Sequence, residues 1–127
     1  MPTFLLKERV VRSDGSGPVI ELGPDAGKLL VLTLGITRIV EHQSLEVSVW
    51  GSADGEDWGR HPIARYPQKL YCGLYSTLLN LSARPDVYYV RVQWKMHRLS
   101  KSGDSAPLFG FYAYVEESGA RIVAAVA

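Results

Sequence analysis

The side chains best placed to do chemistry are three carboxylates, Asp54, Glu56 and Asp57. They crowd into one short segment, Gly51-Ser52-Ala53-Asp54-Gly55-Glu56-Asp57-Trp58. Carboxylates and carbonyls are the natural ligands of a hard cation such as Ca²⁺, which takes about six to eight oxygens. A Ca²⁺ ion bound here would therefore need further oxygens from a second loop. The simpler reading is a tight turn. Asp supplies a local acceptor for backbone N–H groups and Gly supplies a positive φ. On that reading Ser52, Asp54, Gly55 and Trp58 define the turn, with Trp58 plugging the core behind it.

Other reactive residue types are sparse. His42, His61 and His97 stand apart from one another, with no metal-ligand spacing between any two. Cys72 is the single cysteine, so no internal disulfide can form, which favours a reducing compartment. It lies on an apolar stretch and reads as a small buried hydrophobe rather than a nucleophile. No serine sits in a nucleophile-elbow context, and no Gly-rich phosphate loop precedes a helix. The chain is expected to be non-enzymatic and to carry no cofactor.

Arg91, Lys95 and His97 share one strand face, followed by Arg98 and Lys101, and Tyr89 could stack a base beside them. The whole chain has 14 basic and 13 acidic residues and a net charge of +1, which gives no field to draw in nucleic acid. A solvated outer sheet face, whose charges discourage wrong strand pairing, accounts for the same residues. The tyrosines are more informative. The set is Tyr66, Tyr71, Tyr75, Tyr89, Tyr112 and Tyr114, of which Tyr89, Tyr112 and Tyr114 point away from the expected core. Large aromatic area with a polar tip suits a protein interface or a sugar platform. Trp50 lies on a wet face beside Glu46 and Ser48 and is a further contact candidate.

The elements that must position these residues read as β throughout. Phe4 to Val11 is a short strand or extended arm, set off by the Ser13-Asp14-Gly15-Ser16-Gly17-Pro18 turn. Val19 to Leu22 is a short strand. Lys28 to Thr37 is almost continuously apolar and reads as a central strand covered on both faces. Leu45, Val47 and Val49 alternate with polar residues. Lys69 to Leu81 fits two short strands, or one bulged near Gly73, with Leu70, Cys72 and Leu74 on one side. Val87 to Arg98 has Tyr88, Val90, Val92, Trp94 and Met96 as its core face. Phe109, Phe111, Ala113 and Val115 make the last core face. No amphipathic helix of useful length appears. The expected core is Leu30, Leu32, Leu34, Leu45, Val47, Val49, Val90, Val92, Trp94, Phe109, Phe111 and Val115.

Strands at this spacing predict an all-β fold, an antiparallel β-sandwich or jelly roll of about seven or eight strands. Residues 1–22 form an N-terminal arm or first strands, 23–117 the sandwich, and 118–127 an apolar C-terminal tail. Met1 to Lys7 has too short an apolar stretch for a signal peptide, so synthesis in the cytoplasm is expected. No segment reaches membrane-spanning length. Asn80-Leu81-Ser82 matches a glycosylation acceptor only by chance on this reading.

The segment Ser52-x-Asp54-Gly55-x-x-Trp58, followed by the strand Tyr88-Tyr89-Val90-Arg91-Val92, resembles discoidin-like, galactose-binding-type jelly rolls. With Pro107-Leu108-Phe109-Gly110-Phe111 added, the set is similar to small β-sandwich proteins among phage and virus-like structural genes. The resemblance covers roughly Leu29 to Val115. It implies a structural subunit of a larger assembly, of virion, tail or decoration type, and with it a place in an assembled particle. The discoidin-like resemblance implies carbohydrate binding as the alternative, although no ligand signature of those proteins is matched. An Asp-box propeller is disfavoured, because the residue which that motif needs between Asp54 and Gly55 is missing.

Two sets of partners follow as expectations. One is further copies of the chain or other assembly subunits, met through Phe4, Leu6, Trp50, Tyr89, Tyr112, Tyr114, Ile122 and Val123. The other is a glycan. If the first segment is a docking arm, removing residues 1–17 leaves the sandwich folded.

Overall fold

Alternating apolar residues form strands wherever one side chain in two can be buried, and two such sheets must then cover each other. In a computed structural model of the chain, residues 3–39, 43–66, 72–98 and 108–117 are described. They form β1 (Thr3–Val11), β2 (Gly15–Ser16), β3 (Ile20–Glu21), β4 (Leu29–Ile39), β5 (Gln43–Ser52), β6 (Ala64–Arg65), β7 (Gly73–Asn80), β8 (Tyr89–Arg98) and β9 (Phe109–Glu117). The first sheet has the order β1-β9-β4-β7. The second runs β2-β8-β5-β6, with β3 also paired to β8. Among the described residues no helix is long and apolar enough to cross a membrane.

The pairings reveal one long antiparallel ribbon. β5 pairs with β6, β4 with β7, β2 and β3 with β8, and β1 with β9. The ribbon is wound on itself, and its turns are joined where β4 meets β9 and β5 meets β8. With β2 and β3 taken as one strand interrupted at Gly17-Pro18, this is the strand order of a double Greek-key jelly roll.

The inner rows make one core. β4 supplies Leu30, Leu32, Leu34 and Ile36, and β5 supplies Leu45, Val47 and Val49. β8 adds Val90, Val92 and Trp94, and β9 adds Phe109, Phe111, Ala113 and Val115. All the expected core residues are buried, none more than 5% exposed.

Of the two readings of residues 4–11, the strand holds and the arm does not: β1 pairs with β9 and sends Leu5, Leu6 and Val11 into the core. Other expectations are corrected. Leu6, expected at an interface, is 3% exposed and belongs to that core. Tyr88 is 52% exposed, because it precedes β8 and only the alternation from Val90 onward points inward. Leu74 is 70% exposed, and the half-buried Tyr75 packs against the core instead, so the phase of β7 is the reverse of the expected one. Cys72 is exposed at the entry to β7 rather than buried. Leu70, Tyr71, His42, Lys101, Pro107 and the tail with Ile122 and Val123 lie outside the described residues.

Two aromatic side chains with polar tips tie the sheets together. Trp94 packs edge-on against Phe111, with ring centroids 5.4 Å apart, and its Nε1 donates to the Ser13 carbonyl at 2.9 Å. On the opposite flank the buried Tyr66 hydroxyl reaches the carbonyls of Leu32 in β4 and Tyr75 in β7. Burial raises the Tyr66 pKa well above its ordinary value, so the group stays protonated as a donor.

Two outcomes test this architecture. Tyr66→Phe removes the hydroxyl's hydrogen bonds to both carbonyls and should lower unfolding free energy by about 0.5–1.5 kcal/mol per bond in urea denaturation. Deleting residues 1–17 removes three buried aliphatic side chains, each contributing about 1.5–3 kcal/mol, from a total stability of about 5–15 kcal/mol. Calorimetry of that truncation should show a much lower melting temperature or no cooperative transition.

Candidate functional site

Three surfaces carry the candidate residues, and the strand register decides what each presents. On the outer face of the first sheet, Phe4 lies opposite Tyr114, Tyr114 opposite Thr33, and Thr33 opposite Ser76. The neighbouring row runs from Tyr112 through Gly35 to Leu74, and the next from Glu116 through Val31 to Leu78. Tyr112 and Tyr114 stack with centroids 6.1 Å apart and ring planes 6° from parallel. Phe4 packs against both, at 6.4 and 5.5 Å. A Cβ on Gly35 would overlap the Tyr112 ring. Glycine there lets the ring lie flat on the sheet, which fixes the aromatic row. Phe4, Leu74 and Leu78 remain 43%, 70% and 60% exposed. Phe4, Lys7, Glu8, Tyr112 and Tyr114 line a shallow hollow of about 470 Å³.

The outer face of the second sheet is different in kind. Glu46 pairs across the ladder with Lys95, Ser48 with Gln93, and Trp50 with Arg91. His97 Nε2 lies 3.2 Å from Glu46 Oε2. The Arg91 guanidinium sits 4.7 Å from the centre of the Trp58 ring, a cation–π contact. Trp58 is therefore half-exposed beneath Arg91 and does not plug the core. Trp50 is half-buried, with its Nε1 donating to Ser48 Oγ at 3.0 Å. Charges of both signs interleave on this face, so Arg91, Lys95 and His97 do not form an uninterrupted basic patch.

The third surface is a cleft of about 380 Å³ at one end of the sandwich, between the 51–61 turn and the Arg84–Asp86 loop. The turn is internally satisfied. Ser52 Oγ donates to Asp54 Oδ1 at 2.9 Å and accepts from the N–H groups of Asp54 and Gly55. Asp54 Oδ1 also accepts from the N–H groups of Glu56 and Asp57 at 2.8 and 2.9 Å. Gly55 takes the positive φ of 82° that lets these amides converge, and it rests on the Tyr89 ring, 3.7 Å from where a Cβ would be. Tyr89 thus braces the turn from its half-buried position. Asp57 accepts from Gly59 N–H, and Arg84 forms a two-point ion pair with Asp86.

Those hydrogen bonds, first the one from Asp57 N–H, hold the Asp54 carboxyl down at a pKa of about 2. Its Oδ1 is already crowded by three donors, which is the chemistry of a turn rather than of a cation ligand. Among the described residues no group of three or more His, Cys, Asp or Glu side chains is arranged to hold a metal ion.

The sequence points to Phe4, Tyr112 and Tyr114, and the fold brings them together. It does not reveal Val31, Leu74 and Leu78 beside them, or Arg60, His61, Arg84 and Asp86 in the cleft. The evenly spaced Leu74 and Leu78 are the available signal, hidden by the equally apolar opposite phase, Tyr75 and Leu79. Searches against protein-family models and against curated proteins find no match for this chain.

Replacing Ser52 with Ala removes one acceptor and one donor at a buried position and should cost about 1–3 kcal/mol in chemical denaturation. The Asp54 pKa is depressed in the folded state. Its contribution is thus complete above the ordinary value of 3.8 and lost as pH falls toward about 2. Acid unfolding curves of Asp54→Asn should lack the part of the pH dependence that the parent shows in that window.

Proposed function

We propose that the protein is a non-enzymatic structural subunit that docks onto other subunits of a larger assembly through the outer face of its first sheet. The contiguous surface of Phe4, Tyr112, Tyr114, Val31, Leu74 and Leu78 carries this reading. Sheet faces left to water normally alternate toward polar residues, and a contiguous apolar patch rimmed by polar groups marks an interaction site. The aromatic members are already stacked and held on Gly35, so little side-chain freedom is lost when a partner covers them. A net charge of +1 adds little repulsion between copies. A virion, tail or decoration component is the kind of assembly that the sequence resemblance implies.

One observation favours a second reading, carbohydrate binding. The end cleft combines the Trp58 ring with Arg60, His61 and the Arg84–Asp86 pair, a mixture of aromatic surface and planar polar groups that suits a sugar. Most of its carboxylates are spent on internal hydrogen bonds, which places this reading second. Glycan-array binding that is abolished by Trp58→Ala, with the particle mass unchanged, would put it first.

Light scattering after size exclusion should give a mass above the 14.1 kDa of one chain. Introducing Phe4→Glu and Tyr114→Glu, both on the outer face, should weaken association by at least about 2 kcal/mol, roughly thirtyfold. The variant should still unfold cooperatively. Unchanged assembly in that variant would refute docking through this face.

A further inference from the structure

A two-sheet sandwich has four lateral edges, and each exposes unpaired backbone N–H and C=O groups unless something blunts it. Three of the four are blunted here. β1 is broken by register shifts between Phe4 and Leu6 and between Leu6 and Arg9, where Lys7, Glu8 and Arg9 stand exposed. β2 and β3 are two residues each, separated by Gly17-Pro18-Val19, and β6 is two residues long. β7 is the exception. It runs for 8 residues, Gly-Leu-Tyr-Ser-Thr-Leu-Leu-Asn, without a charge or a proline. It pairs with β4 in unbroken register from Gly73 to Asn80. Among the described residues no strand lies on its other side.

We propose that the β7 edge is the seam of a two-fold dimer, in which β7 pairs antiparallel with β7 of a second copy. The first sheets of the two subunits then join into one continuous sheet. The occupant is a second copy because the edge is self-complementary. It is uncharged along its length, so nothing repels its own image, and an isologous contact closes after two subunits. Edge pairing of this kind draws its affinity from main-chain hydrogen bonds.

The register follows from the faces. Residues directly opposite in an antiparallel pair point to the same side. The outer row of β7 is Leu74, Ser76, Leu78 and Asn80, so only registers that match this row with itself keep Leu79 in a core. Among these, centring on Ser76 places Leu74 opposite Leu78 of the partner subunit, and does so twice. Centring on Thr77 instead sets Leu78 against Ser76 and Leu74 against Asn80, leaving each leucine facing a polar residue. Paired leucines on adjacent strands cover each other, and Leu74 and Leu78 are the two most exposed leucines described, at 70% and 60%. Ser76 therefore lies on the two-fold axis, and the aromatic faces of both subunits end on the same side of the joined sheet.

The inference rests on the assembly reading only in that copies of the chain must associate, and it fails separately from docking through the aromatic face. Ser76→Lys sets two like charges opposite each other at an exposed position. It should raise the dissociation constant roughly tenfold or more in light scattering and sedimentation, with thermal unfolding still cooperative. In a Cys72→Ser background, Ser76→Cys should be captured by a short bis-maleimide linker as a covalent dimer of twice 14.1 kDa. The native Cys72 should not, because the two copies of residue 72 would lie about 27 Å apart along the antiparallel strands. A wild-type monomer at every concentration would overturn the proposal, as would unchanged association in Ser76→Lys. Linking of the wild type through Cys72, with no linking of the Ser76→Cys variant, would overturn it too. If Ser76→Lys still associates and the Phe4→Glu/Tyr114→Glu variant does not, the edge inference falls and docking through the face stands. The reverse pattern leaves the edge dimer and removes the face.

Discussion

Trp94 is the point on which the closure of the sandwich depends. Its ring meets Phe111 of the opposite sheet edge-on, its Nε1 holds the Ser13 carbonyl, and Arg9 stacks 5.9 Å from its centre. A Cβ on Gly15 would come within 2.9 Å of the ring, so the chain can pass there only as glycine. Between β1 and β2 the backbone leaves one sheet for the other, and this crossing has few hydrogen-bonded neighbours of its own. The indole supplies what the ladder does not: an acceptor's partner for Ser13, a floor for Gly15 and an apolar bridge to β9. Asp14 completes the clasp by accepting from Met96 N–H at 2.8 Å. Tyr66 does the corresponding work on the other flank. A jelly roll wound from one ribbon needs both flanks closed, since each is a place where the two sheets could splay and admit water to the core.

Once the inner rows are committed to the core, the outer rows are free to differ, and they differ sharply. On the second sheet Glu46, Lys95, His97 and Arg91 interleave, and the Arg91 guanidinium lies over Trp58. That face is polar: Glu46 lies between Lys95 and His97, and Arg91 covers one side of the Trp58 ring. On the first sheet the corresponding positions hold Phe4, Tyr112, Tyr114, Leu74 and Leu78, with charge confined to the rim, as in the Lys28–Glu117 pair at 3.3 Å. Packing within the domain does not require this composition, because a jelly roll of this size tolerates polar residues on both outer faces. The asymmetry therefore points outward, to something that covers one face and not the other.

The legible part of the fold is the part written in a single phase. β5, β8 and β9 have apolar residues on one side and polar or mixed residues on the other, and their inner rows follow from alternation alone. The run from Leu29 to Ile36 is almost continuously apolar and is a central strand between β9 and β7, but only its inner row, Leu30, Leu32, Leu34 and Ile36, enters the core, while Leu29 and Val31 on the outer face stay half-exposed. β7 shows where alternation fails. Leu74 and Leu78 in one phase compete with Tyr75 and Leu79 in the other, and only contact with Tyr66 and the opposite sheet decides between them. The position of Cys72 is lost with the same row. β1 is illegible for a different reason. Its two register shifts interrupt the alternation, so Leu5 and Leu6 both turn inward, a pattern that in isolation resembles a loose arm. Strand order, including the pairing of the first strand with the last, is a property of the wound ribbon and has no local signature. Trp58 follows a turn, which is a common position for a core plug, but Arg91 across the sheet competes for its ring.

The edge of β7 and the aromatic face beside it are more simply explained together than apart. An exposed leucine pair on an uncharged edge is an aggregation hazard for a free monomer, and the three other edges show that this chain blunts edges where they would be harmful. The same strand contributes Leu74 and Leu78 to the apolar face. A change that blunted the edge through those residues would also interrupt the face, so one set of side chains answers to two contacts. The outer row of β7 is then fixed by what lies beyond the domain, whereas its inner row, with Leu79 and Tyr75, is fixed by the core. Lateral growth of the sheet brings the two aromatic rows to the same side, where a partner could cover both at once.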